Sequence, residues 1–173
     1  MPLTDASLSF SVKGTLTNSL DLLTVTAPLL KSGSVNWANG TGANQADKMW
    51  TDTRTLTASS TEDLDLAGSA LIDPFGSAVV FVEVTGLIVV AAAGNTNNVL
   101  VGANVVGGWA TLIGPTGASG GVITVRPGGF FAAGSTDATG FAVTPSTGDL
   151  LHIANSAGST SVTYDIVIIG RSA

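Results

Sequence analysis

Hydrophobic and polar positions alternate from the start of the chain. Leu8, Phe10 and Val12 interleave with Ser7, Ser9 and Ser11, a period of two that predicts a strand over Ser7–Val12, closed by Gly14. A second strand is expected over Leu20–Ala27, stopped by Pro28. The polar run from Ser32 to Gln45, with Gly33, Gly40 and Gly42, reads as a turn or long loop, and Gln45–Trp50 as a short helical turn. From Thr51 onwards the pattern is regular. Arg54–Ala58 and Glu62–Ala67 are expected to pair as a hairpin, with Leu64 and Leu66 inward and Asp63 and Asp65 outward. Asp73-Pro74-Phe75-Gly76 is a turn with proline at its second position. Ala78–Val84 and Leu87–Ala92 are nearly continuous in apolar residues, as strands at the centre of a sandwich are.

Asn95–Asn98 then forms a turn before a short strand, Val99–Val101, and Gly107-Gly108-Trp109 breaks the chain ahead of Thr111–Ile113. After a Gly-rich loop over 114–121, the segments beginning at Val122, Phe130, Gly140, Leu150 and Val162 follow at intervals of 8 to 12 residues. That spacing, with turn residues between, marks a β-sandwich or barrel. The expected fold is a single all-β unit, an antiparallel β-sandwich of jelly-roll type over residues 41–173. Residues 1–40 are expected as an N-terminal arm or extra edge strands. Leu64, Leu66, Val89, Phe141, Ile153, Ile166 and Ile168 occupy the apolar phase of their strands and are expected in the core, with Phe81 beside them.

Composition narrows the class. Charged residues make up 10 % of the 173, against a usual quarter, while glycine contributes 22. The wet face of a soluble helix needs charged residues, which excludes a helical bundle. The apolar fraction of 45 % argues against disorder. The longest apolar run, Leu87–Ala93, is far short of the roughly 20 residues of a membrane-spanning helix. The opening Met-Pro-Leu-Thr-Asp carries no visible secretion signal. Cysteine is absent and the net charge is −6, so disulfides, thiolate metal sites and nucleic-acid binding are not expected. So little charge also suggests a surface hidden against something else.

Candidate chemistry is sparse. His152 is the only histidine, flanked by Leu151 and Ile153 in a strand. Gly117-Ala118-Ser119-Gly120-Gly121 matches the letters of a nucleophile elbow, but a Gly/Pro loop precedes it and no helix follows. Asp63 and Asp65 fall on one strand face about 7 Å apart at ~3.3–3.4 Å per residue. That spacing suits calcium or a glycosidase pair; a charged, edge-protecting face is the plainer explanation. Trp109, in its Gly-Gly-Trp turn, suits an exposed platform for a partner or glycan, but a buried anchor in a core or subunit interface is the commoner use of a tryptophan, for Trp37 and Trp50 as well.

Several stretches carry a resemblance. Asn39-Gly-Thr-Gly-Ala-Asn-Gln-Ala-Asp-Lys-Met-Trp-Thr-Asp-Thr-Arg-Thr-Leu-Thr57, Glu62-Asp-Leu-Asp-Leu-Ala-Gly68 and Asn95-Thr-Asn-Asn-Val-Leu-Val-Gly102 are similar to small tailed-bacteriophage virion proteins. So are Val125-Arg-Pro-Gly-Gly129, Asp137-Ala-Thr-Gly-Phe-Ala-Val-Thr144 and Ser161-Val-Thr-Tyr-Asp-Ile-Val-Ile-Ile-Gly170. The chain thereby resembles head decoration or cement proteins, β-sandwich modules that sit on a capsid as trimers or similar clusters. The resemblance implies a structural role without catalytic residue, metal or cofactor. It implies the major capsid protein and further copies of the chain as partners, and neither nucleic acid nor membrane. The expected location is the capsid surface of the virion, after assembly in the bacterial host cytoplasm. A tail or head fibre module binding a host-surface glycan is the alternative, and an enzyme using Asp63 and Asp65 a third reading.

Overall fold

The computed structural model describes residues 3–102, 106–114 and 121–173. All regular elements among them are strands: β1 (Ala6–Ser19), β2 (Thr24–Asn39), β3 (Gln45–Ala46), β4 (Lys48–Leu56), β5 (Thr61–Asp65), β6 (Glu83–Ala91), β7 (Val99–Val101), β8 (Ile123–Val125), β9 (Phe130–Gly134), β10 (Phe141–Ala142), β11 (Leu150–Asn155) and β12 (Val162–Arg171). The protein is all-β, with antiparallel sheets consistent with a β-sandwich. A five-stranded sheet runs β10-β6-β12-β4, with β9 also on β6, and a four-stranded sheet runs β5-β11-β7-β8. Both contribute to one apolar cluster: Leu87, Val89, Ile166 and Ile168 from the first, Leu64, Leu151, Ile153 and Val101 from the second.

Inward and outward positions follow the period-two pattern. Leu64, Leu66, Phe81, Val89, Ile153, Ile166 and Ile168 are buried as expected. Phe141 is not: it lies in the short edge strand β10, half-buried, packed edge-on against Trp109 with ring centroids 6.4 Å apart. The expected 54–67 hairpin is also absent. β4 pairs with β12 and β5 with β11, so residues 57–60 pass from one sheet to the other around Ser59, which takes a left-handed φ of 57°. Ala78–Val82 is irregular, although Val79 and Phe81 still reach the core, their amides donating to Leu71 and Leu66 carbonyls. Residues 111–113 form a turn, where a strand was expected.

The largest departure is N-terminal. Residues expected as a loop between Ser32 and Gln45 continue β2 to Asn39, and Gln45–Trp50 is extended where a helical turn was expected. β1 and β2 pair along their whole length, Ala6 opposite Trp37 to Ser19 opposite Thr24, with a turn closed by the Leu20 amide on the Leu23 carbonyl. The polar run extends because its partner is polar too: Ser9 faces Ser34 and Ser11 faces Ser32. Gly33 is a cross-strand glycine, not a turn glycine; a Cβ there would lie 2.6 Å from the Phe10 ring that covers it. Pro28 does not stop β2, because the strand's second edge pairs only at Ala38 and Asn39, and an unpaired edge tolerates a residue without an N–H.

Removing a side chain from the shared core should destabilise the protein strongly. Ile166→Ala is expected to cost about 2–5 kcal/mol and half-buried Phe141→Ala distinctly less, read from urea unfolding midpoints at unchanged slope.

Candidate functional site

The polar residues are used for structure. Asp63 and His152 face each other across β5 and β11, Oδ1 and Nδ1 2.6 Å apart. Asp65 closes the turn after β5 by accepting from the Ala67 and Gly68 amides at 3.1 and 2.6 Å. The two carboxylates share a shallow recess with Asp52 and Arg54 but are committed to different partners. Beside them Glu62 joins the two sheets: the Tyr164 hydroxyl donates to Oε1 at 2.5 Å, and Arg54 Nε to Oε2 at 3.0 Å. Burial, then the Glu62 contact, raises the Tyr164 hydroxyl pKa, and the Glu62 hydrogen bond raises that of Arg54. Among the described residues no cluster of three His, Cys, Asp or Glu is placed to hold a metal ion. Ser119 lies outside the described residues.

The three tryptophans are anchors. Trp109 is 4 % exposed, and its indole N–H donates to the Ala142 carbonyl at 2.9 Å. The exposed platform expected of it is corrected by that burial: the Gly-Gly turn folds the ring inward onto Phe141, and no stacking face is left for a glycan. Trp50 is buried in the main core. Trp37 lies at the root of the β1–β2 ribbon, its N–H donating to the Ser135 carbonyl at 2.8 Å. It occupies a trough left by two opposed glycines, Gly86 of β6 and Gly134 of β9. A Cβ on Gly86 would come within 3.0 Å of the indole ring.

A second fixture holds the ribbon's exit. Arg171 is fully buried, and its guanidinium donates to the carbonyls of Gly42, Ala138 and Asp137 at 3.1, 2.9 and 2.9 Å. Its Nε lies 3.0 Å from Glu83 Oε2, an ion pair outside hydrogen-bond geometry. The loop after β2 and the loop after β9 are thereby tied to the end of β12. Asp137 organises its own loop by accepting from the Thr139 and Gly140 amides.

What these fixtures hold in place is the exposed surface. Opposed residues of an antiparallel pair share a face, so the register separates the ribbon into two sides. One carries Leu8, Phe10, Val12, Leu16 and, across from them, Val25, Ala27, Leu29 and Val35. The other carries Ser7, Ser9, Ser11, Lys13, Thr15 and Thr17 against Thr24, Thr26, Pro28, Leu30, Ser32, Ser34 and Asn36, a mostly hydroxyl face with one charge. The root of the apolar side, Leu8, Val35 and Trp37, packs on Ile169 and Ala46 of the body. Beyond it the face is open to solvent: Phe10 is 55 % exposed, Leu16 79 % and Leu29 60 %. Beside the root, the outer face of the five-stranded sheet is apolar as well, with Ile88, Val90, Val167 and exposed Phe130 and Ala132.

The Leu8–Phe10–Val12 alternation of this surface is legible in the sequence and Val25 and Ala27 fall in the expected Leu20–Ala27 strand, whereas Leu29, Val35 and Trp37 lie beyond the stop expected at Pro28. Val25, Ala27, Leu29, Val35 and Trp37 also keep a period of two, and that signal was obscured by Pro28, Lys31 and Gly33. Comparison of the chain with family models, curated proteins and solved structures finds no match.

The Asp137 loop should respond to acid. Hydrogen bonds from Ser135, Gly140 and Thr139 lower the Asp137 pKa to about 2, below the ~3.9 of an unfolded aspartate. Its contribution is therefore complete above the unfolded value and lost as pH falls through about 2. Amide exchange at Thr139 and Gly140 should stay protected at pH 4 and open selectively as pH approaches 2, an effect absent from Asp137→Asn.

Proposed function

We propose that the protein is a structural component of a bacteriophage virion, a decoration or cement protein that binds the outer surface of the head and stabilises it without catalysis. Its partners in this reading are the major capsid protein and further copies of itself, as a homotrimer on the capsid surface. The observation that carries the reading is the ribbon, a rigidly rooted strand pair whose apolar side is presented to water. Open apolar patches of this extent on a soluble domain mark contact with another macromolecule. The resemblance of the 39–57 and 161–170 stretches to head decoration proteins supports the same reading.

The mechanism is burial repeated by symmetry. Apolar surface removed from water contributes about 25 cal/mol per Å², and a standard interface of ~1,600 Å² recurs at every equivalent position of a shell. Three-fold positions offer three equivalent shell subunits to a ring of three modules. Each module then meets the same contact.

The test is co-sedimentation of the purified protein with preassembled empty capsids of the phage that encodes it. Saturable binding is expected. It should change little from about 0.1 to 1 M salt, although the screening length falls from ~10 to ~3 Å, because apolar burial carries the contact. Absence of co-sedimentation at every ratio would remove the decoration role and favour the fibre alternative.

A further inference from the structure

We propose that the ribbon is a strap between copies: the open apolar side of one β1–β2 ribbon lies on the outer face of the five-stranded sheet of a second copy. This deepens the assembly reading by naming the surface that joins copies, and rests on it only in requiring that copies associate.

Four observations choose this occupant. The first is continuity. The root of the same ribbon side already packs on the same sheet face within one chain, Trp37 and Leu8 over Gly86, Gly134 and Ile169. The two surfaces are therefore matched in pleat and chemistry, and the in-chain contact ends where the ribbon runs off its own body.

The second is what the sheet leaves uncovered. Next to the occupied row, the cross-strand pairs Ile88–Ala132 and Val90–Phe130 continue the apolar surface outward, with Phe130 73 % exposed. Ala132, Val90 and Phe130 all remain exposed beside the ribbon's root.

The third is charge. The apolar side of the ribbon carries one charged residue, Lys31, opposite Val12. The solvent-open part of the sheet's outer face also carries one, Asp165, exposed and opposite Val90, while Glu83 and Arg171 farther along are paired with each other. Lys31 makes no ion pair among the described residues, and the Asp165 carboxylate accepts only from Thr53, at 2.6 Å. One unpaired cation on one surface and one anion on the other fit a single register of the strap on the sheet.

The fourth is area. The overhang from Ser9 to Ser19 is about 37 Å long at ~3.4 Å per residue and roughly 10 Å wide for two strands, giving a footprint of ~370 Å². A copy that donates one ribbon and accepts one therefore covers about 740 Å², close to the ~800 Å² per partner of a stable interface. A ring or a two-fold pair closes with every strap engaged and none left open.

The experiment is the solution mass of the full chain by size exclusion with light scattering, at micromolar concentration. Wild type should be a closed multimer. Leu16→Asp with Leu29→Asp, both exposed in the protomer, should give a monomer with an unchanged far-UV circular dichroism spectrum. Thr17→Asp, on the polar side, should leave the mass unaltered. Lys31→Asp should raise the dissociation constant about fivefold or more, and adding Asp165→Lys should recover most of that loss. A monomeric wild type, or a multimer that survives Leu16→Asp with Leu29→Asp, overturns the inference; the second outcome would place the contact at the ribbon edges. Capsid binding is scored separately. A multimer abolished by these substitutions in a protein that never binds capsids upholds the strap and removes the decoration role.

Discussion

The direction of the ribbon is set at one contact, the indole of Trp37 lying across two glycines. Gly86 and Gly134 oppose each other on neighbouring strands, and their missing side chains make a trough in an otherwise apolar sheet face. A ring that fills such a trough and also donates to the Ser135 carbonyl has one orientation open to it. Because Trp37 is opposite Ala6 in the register, fixing that ring fixes both strands. A two-stranded ribbon is only marginally stable in water by itself. Its overhang keeps its form because its root is seated in this way.

The trough depends on the buried Arg171 behind it. A buried guanidinium is costly unless its N–H groups are satisfied, and here the acceptors are backbone carbonyls of two loops together with the Glu83 carboxylate. One loop leads out of the ribbon and the other follows β9, the strand that carries Gly134. The arginine therefore couples the end of the chain to both walls of the ribbon's seat. Its contribution is to specify how these loops sit; an apolar side chain of similar size would fill the space without gathering the carbonyls.

The sandwich was legible because its strands obey the simplest rule available. Ile153 and Ile166 alternate with polar or half-exposed neighbours, and alternation survives whatever the strand pairs with. Pairing itself was not legible. Arg54–Ala58 and Glu62–Ala67 are close in sequence with a turn between them, which favours a hairpin locally, yet each pairs instead with a distant strand, β4 with β12 and β5 with β11. β2 was misread for a related reason. Ser32–Asn39 has poor strand propensity by itself and becomes a strand through the equally polar Ser7–Ser11 opposite it, a match no single window contains. The burial of Trp109 likewise depends on Phe141 and Ala142, some thirty residues away. Asp63 and Asp65 were placed correctly on an outer face, but their partners, His152 and the Ala67–Gly68 turn, appear only once the strands are paired.

Low charge and the two-sided ribbon are two aspects of one constraint. A strap that must leave water on docking gains from carrying as few ions as it can, since each buried charge costs several kcal/mol unless it meets a partner. The same strap must stay solvated before docking, and its edges must not invite indiscriminate pairing. Serine and threonine on the outward side, with Lys13 as its one charge, keep the free ribbon solvated, because a hydroxyl is solvated by water and demands no counter-charge. The single lysine on the inward side, Lys31, makes docking selective, because only a surface with an anion at the right register accepts it without loss. In the proposed strap, the shortage of charged residues and the run of Ser, Thr and Gly through the first forty positions serve one physical requirement: an apolar strand pair kept solvated in the free chain and selective when it docks.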